Sequence, residues 1–119
     1  MDINRRGFLF LAAGGLLLLN GCGRKAAHSA LPRGSRVLAL GDSLTAGFGA
    51  SAGGDYPRRL ADITGWQVIN GGVSGDTSAQ ALARLPGLLQ PKPGLALVCI
   101  GGNDFLRRIG ENETRANIG

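Results

Sequence analysis

A four-residue apolar run, Val37-Leu38-Ala39-Leu40, stops without a spacer at Gly41-Asp42-Ser43-Leu44, and this junction limits the possible folds more than any other stretch. Short unbroken runs of Val, Leu and Ala that end at glycine are the pattern of parallel strands buried on both faces. Open α/β sheets bind their ligands just past the carboxyl ends of such strands. Ser43 is therefore predicted to present a hydroxyl on a rigid support at the working edge of a sheet. A serine in that place can also simply cap a helix, so the other strand ends decide.

The same junction recurs twice. Thr45 to Asp55 is rich in Gly, Ala and Ser and reads as a loop. Pro57 is placed to open a short helix that runs to Thr64, with Gly65 closing it. Gln67-Val68-Ile69 is a second strand, ending in Asn70-Gly71-Gly72-Val73-Ser74-Gly75-Asp76. Thr77-Ser78-Ala79-Gln80 has the capping-box pattern of a helix start. Leu82, Leu85, Leu88 and Leu89 give that helix an apolar stripe, and Pro86 is expected to kink or end it. Leu95 to Ile100 is a third strand, ending in Gly101-Gly102-Asn103-Asp104, and Asn112 to Gly119 reads as a helix just starting.

Strands alternating with helices imply parallel strands joined by right-handed crossovers. In a flavodoxin-like order the second and third strands flank the first, about 4.8 Å away on either side. The loops after Leu40, Ile69 and Ile100 then emerge side by side, each with a group suited to acyl transfer. Ser43 has a hydroxyl and a backbone N–H, Gly75 an N–H that no side chain obstructs, and Asn103 a carboxamide donor. Asp42, Asp76 and Asp104 are expected to tie the loops together by local hydrogen bonds.

Gly41-Asp42-Ser43-Leu44, the Gly75 of Val73-Ser74-Gly75-Asp76-Thr77, and Gly102-Asn103-Asp104 resemble the first three sequence blocks of the GDSL or SGNH hydrolase family. The resemblance runs from about Val37 to Ile118, and the wording is most similar to small bacterial arylesterases, acyl-CoA thioesterases and lysophospholipases. It implies a three-layer α/β/α fold and a serine esterase mechanism that needs neither cofactor nor metal. Ser43 resembles the nucleophile; its N–H, the Gly75 N–H and the Asn103 carboxamide resemble the oxyanion hole. The family also takes a base and its carboxylate from a later Asp-x-x-His block, and no histidine follows His28 here. A serine hydroxyl is a poor nucleophile until a positioned base takes its proton. Residues 36 to 119 are accordingly expected to be the N-terminal part of such a domain, with the C-terminal portion absent. Such a piece, inactive or weakly active as it stands, would be poorly soluble, its third strand a raw edge.

The leader tells of export. Arg5-Arg6 precede the apolar run from Phe8 to Leu19, which is too short to span a hydrocarbon core of about 30 Å as a helix. A positive start, a short apolar centre and small residues make a signal segment. Asn4-Arg5-Arg6-Gly7-Phe8-Leu9 resembles a twin-arginine signal, and Leu19-Asn20-Gly21-Cys22 resembles a lipoprotein cleavage box in which Asn20 is untypical. Residues 1 to 22 are thus expected to direct export from a bacterial cytoplasm, with Cys22 lipidated and holding a periplasmic protein to a membrane. Residues 23 to 35 are polar and aperiodic and read as a flexible tether, with His28 a solvated residue inside it. Cys99, inside the third apolar run, is expected to be a small buried hydrophobe with no bridge.

Several other functions fail on the residues. The net charge of +5 is concentrated in residues 1 to 35, leaving the domain nearly neutral; without a basic stripe, nucleic acid is not an expected partner. Gly47-Phe48-Gly49-Ala50-Ser51-Ala52 fits a dinucleotide fingerprint but starts well beyond the strand end. Thr45 stands where a Gly-x-Ser-x-Gly elbow needs its second glycine. The serious rival is a non-catalytic exported lipoprotein that uses the same crevice to bind acyl or glycan ligands.

Overall fold

The computed structural model describes residues 30–119; the leader, Cys22 and His28 lie outside them. The compact unit begins at Leu31, so the last residues of the expected tether belong to it. Trp66 Nε1 donates to the Leu31 carbonyl at 3.1 Å. The Gly34 N–H reaches the Gly65 carbonyl at 2.8 Å, and the Gln67 N–H reaches that of Ser35 at 2.9 Å.

The elements follow as β1 (Arg36–Gly41), α1 (Ser43–Ala46), α2 (Tyr56–Thr64), β2 (Gln67–Gly72), α3 (Ser78–Leu88), β3 (Leu95–Cys99), α4 (Gly102–Leu106) and α5 (Glu111–Ile118). All pairing is parallel in the order β2-β1-β3, the flavodoxin-like arrangement expected from the sequence. Gly41 stands level with Gly72 on one side and with Cys99 on the other, so the three strands end on a common rung.

Alternation along β1 builds the layers. Leu38 and Leu40 are buried with Ala81 of α3, and Ile69, Leu85, Leu88 and Ile100 pack around them. Val37 and Ala39 face the other way, level with Val68 and Asn70 of β2. Pro57 and Ala61 of α2 line a cleft together with those two β2 residues, which puts α2 on that face and gives helices on both sides of the sheet. Fully burying a Leu or Val side chain stabilises by roughly 1.5–3 kcal/mol, and β1 holds most of the fully buried apolar residues.

Local sequence explains most element ends. Asp55 caps α2 by accepting the Arg58 N–H, Pro57 lies in its first turn, and Gly65 closes it in the left-handed conformation. The capping box of Thr77 and Gln80 is formed at the start of α3. The buried line of α3 differs from the expected stripe: it runs Ala81, Leu85, Leu88, the i, i+4, i+7 spacing of one face. Leu82 and Leu89, a further step round the helix, are 45% and 44% exposed. The helix continues through Pro86, whose missing N–H removes one late bond of the ladder, and ends two residues later, so little helix is left beyond the proline to distort.

Two short helices depart from the expected loops. Ser43–Ala46 forms one helical turn, and Gly102–Leu106 another. The expectation that Cys99 is buried is overturned: its thiol is free and exposed. Among the described residues β3 pairs only with β1, and Leu95 and Val98 are exposed along with Cys99.

Candidate active site

The loop after β1 is built to hold Ser43 still. The Asp42 carboxylate accepts the Leu44 N–H at 3.1 Å, and the Asp42 carbonyl accepts the Ala46 N–H at 2.9 Å. Ser43 is therefore the first residue of a capped turn, half-buried, and its own N–H finds no acceptor among the described residues. Beneath it Thr45 is fully buried. The Thr45 hydroxyl shares a 3.0 Å hydrogen bond with the Tyr56 hydroxyl, and Asn70 Nδ2 donates to the Thr45 carbonyl at 2.9 Å. This turn sits directly on the end of β2, because a Cβ on Gly72 would lie 2.2 Å from the Ala46 nitrogen. No residue but glycine permits that approach.

The loop after β2 folds into a tight turn. The Val73 N–H donates to the Gly41 carbonyl at 3.1 Å, tying it to the first loop, and the Asp76 N–H reaches back to the Val73 carbonyl at 3.2 Å. Gly75 has φ +83°, while Ser74 is not among the positive-φ residues. A four-residue turn with its third residue in that region is a type II turn, which is why glycine stands there. The Gly75 N–H, like that of Ser43, finds no acceptor among the described residues. Arg84 of α3 grips the end of the turn, with Nε at 2.8 Å from the Asp76 carboxylate and one terminal nitrogen donating to the Gly71 carbonyl at 3.0 Å.

The loop after β3 is held to the second loop by polar ties. Asn103 Nδ2 donates to the Asp76 carbonyl at 2.9 Å; a carboxamide nitrogen has two donors, so one remains. Asp104 is 2% exposed. Its carboxylate accepts the Ser78 N–H at 2.7 Å, the Ser78 hydroxyl at 2.5 Å and the Thr114 hydroxyl at 2.8 Å. Burial pushes its pKa up, but the hydrogen bonds from Ser78 and Thr114 outweigh it and hold the carboxyl below the ordinary carboxylate range. Asn117 Nδ2 donates to the Ser78 hydroxyl at 3.0 Å, joining α5 to the same knot. The loop also meets the first one, since a Cβ on Gly102 would lie 3.6 Å from the Asp42 carboxylate.

Ser43, Gly75 and Asn103 thus stand two, three and four residues beyond the rung shared by Gly41, Gly72 and Cys99, in loops that touch one another pairwise. The three aspartates act as ties: Asp42 caps, Asp76 is ion-paired to Arg84, and Asp104 joins α3, α4 and α5. Sequence reasoning missed Arg84, Arg107, Asn70, Tyr56 and the Ser78–Thr114 pair. Arg84 alone left a signal, as a cation on an otherwise apolar helix eight residues past Asp76.

The pattern of the GDSL-like Lipase/Acylhydrolase family matches residues 39–119. The chain belongs to that family. Among curated proteins it is 47% identical over 87 residues to thioesterase 1/protease 1/lysophospholipase L1 of Escherichia coli, covering 69% of this chain and 41% of that protein. It is 37% identical over 108 residues to esterase TesA of Pseudomonas aeruginosa, covering 86% of this chain and 54% of that one. The crystal structure of AlinE4, an SGNH-hydrolase family esterase, superposes with a TM-score of 0.66 at 42% identity, covering 75% of this chain and 51% of AlinE4. This GDSL-like chain therefore spans about half the length of the relatives it matches, and its α/β sheet is the one found in SGNH-hydrolase esterases.

Proposed function

We propose that this chain carries the nucleophile and oxyanion-binding half of a serine esterase that hydrolyses carboxylic or thioesters. The observation that carries the reading is the pair of unused N–H groups, on Ser43 and Gly75, beside a carboxamide with a spare donor, all just beyond one rung of the sheet. The Ser43 hydroxyl attacks the ester carbonyl, and its proton passes to a base. The carbonyl oxygen becomes an oxyanion held by the Ser43 and Gly75 N–H groups and the Asn103 amide. Collapse expels the alcohol or thiol and leaves an acyl group on Ser43, which water then removes. Donors of this kind act on charge that develops only in the transition state, and each is worth about a hundredfold to a thousandfold in turnover.

No histidine occurs among residues 30–119, so the base belongs to chain outside them. We assign it to an Asp-x-x-His segment, a reading supported by the family membership and by relatives about twice as long. In the same proposal the leader exports the protein and a lipid on Cys22 holds it to a membrane, on the sequence pattern alone. A second reading, a lipoprotein that binds acyl or glycan ligands in this crevice without turnover, fits the lack of histidine among residues 30–119.

Hydrolysis of phenyl acetate by the full gene product separates the two. The esterase reading expects turnover that falls at least about a thousandfold in Ser43→Ala, with the folded state unchanged. Saturable binding without turnover in the wild type would select the lipoprotein reading.

A further inference from the structure

We infer that Arg107 is a positioning residue that fixes the separation of the two oxyanion donors contributed by Gly75 and Asn103; this rests on the esterase reading above. Arg107 is bonded to both. Its backbone N–H donates to the Asn103 carbonyl at 2.9 Å, and its guanidinium donates to the Gly75 carbonyl at 2.8 Å across 32 residues of sequence. One residue thus spans the two loops whose donors must converge on a single oxygen.

The turn around Gly75 needs such a strut. Its closing bond, from the Asp76 N–H to the Val73 carbonyl, is 3.2 Å, at the long end of the usual range. The other grips act on its ends: Arg84 and Asn103 hold Asp76, and the Gly41 carbonyl holds Val73. Among the side-chain hydrogen bonds of the described residues, Arg107 alone reaches Gly75. Its guanidinium also lies 3.6 Å from where a Gly75 Cβ would be, so it braces the apex of the turn.

The chemistry of the hole gives this brace a specific signature. Oxyanion donors work because they are aimed before charge appears, and misplacement of about 1 Å can cost a hundredfold. The Arg107 guanidinium has no carboxylate partner among the ion pairs of the described residues, so its charge also favours an anion at Gly75. Both effects are felt where the oxyanion forms and not where the neutral ester binds. Arg107 is exposed, so its loss is expected to leave the fold in place.

The test uses the full gene product and phenyl acetate, with Ser43→Ala, Arg107→Met and Arg107→Lys, together with amide NMR of each. Arg107→Met should lower kcat about tenfold with KM within about twofold. The melting temperature should be unchanged, and Lys should recover part of the loss by keeping the charge and one donor. The Gly75 and Asp76 amide resonances should shift or broaden, while those of Val37 to Leu40 stay put. Activity abolished in Ser43→Ala but unaltered in Arg107→Met overturns the strut and leaves the esterase reading intact. A parallel fall in kcat and melting temperature overturns it too, since that is what a merely structural bond gives. If the wild type shows no turnover the esterase reading falls, and the amide spectra then decide whether Arg107 holds the turn.

Discussion

β1 and β3 lie side by side in the same sheet, joined by the same parallel ladder, yet they occupy opposite environments. Val37, Leu38 and Ala39 of β1 are fully buried, whereas Leu95, Ala96, Val98 and Cys99 of β3 are exposed. Hydrogen bonding therefore sets where a strand lies, and covering layers set how much it stabilises. The contrast extends to the loops. The Ser43 turn is seated on Gly72 and backed by buried Thr45, so it is held by packing as well as polar bonds. The loop after β3 is held by Asn103, Asp104 and Arg107 through polar ties, while its Phe105 stands 83% exposed. Ser43, the proposed nucleophile, sits on the finished side of the molecule; Asn103, a proposed oxyanion donor, sits on the bare side.

Three substitutions sharpen or break this contrast. Leu38→Ala removes the centre of the buried cluster and should destabilise by about 2–5 kcal/mol in chemical denaturation; a smaller loss would mean that β1 is not the core. Asp104→Asn keeps the shape but sets an NH2 against donors from Ser78 and Thr114, and should cost roughly 1–3 kcal/mol. The sign of its pH effect follows from the lowered native pKa. The stabilisation from the Asp104 carboxylate is complete above the unfolded carboxyl range near pH 4 and is lost as pH falls through it toward the native value. A melting curve followed from pH 7 to pH 3 should therefore decline less steeply in the Asn variant. Val98→Thr, on the uncovered strand, should change stability by less than about 0.5 kcal/mol; a loss like that of Leu38→Ala would show that something covers β3 in solution.

The strands and their order were legible because unbroken apolar runs ending in glycine have few other solutions. The placement of Ser43, Gly75 and Asn103 at one lip of the sheet was legible for the same reason, as each follows a strand end by a few residues. What escaped notice had short or distant causes. α1 has four residues, too few to show a helical period, and its cap depends on Asp42 turning back to Leu44. Arg84 and Arg107 act on carbonyls far away in sequence, which no local pattern announces. Cys99 was misjudged because an apolar run records what a strand prefers, while its exposure depends on which layers cover it. The stripe of α3 slipped by one position because Ala81, small enough to sit against Leu38 and Leu40, contributes little to an apolar pattern.

The shared rung at Gly41, Gly72 and Cys99 makes one end of the sheet a common datum from which every reach is measured. Residues added at the opposite end, between Leu89 and Gly94 or beside Gly65, lengthen a connection and leave the measuring edge untouched. One residue added between Gly41 and Ser43 displaces the hydroxyl by up to about 3.8 Å, the spacing of neighbouring Cα atoms, while Gly75 and Asn103 stay behind. The molecule is therefore tolerant of length at its base and intolerant of it at its lip.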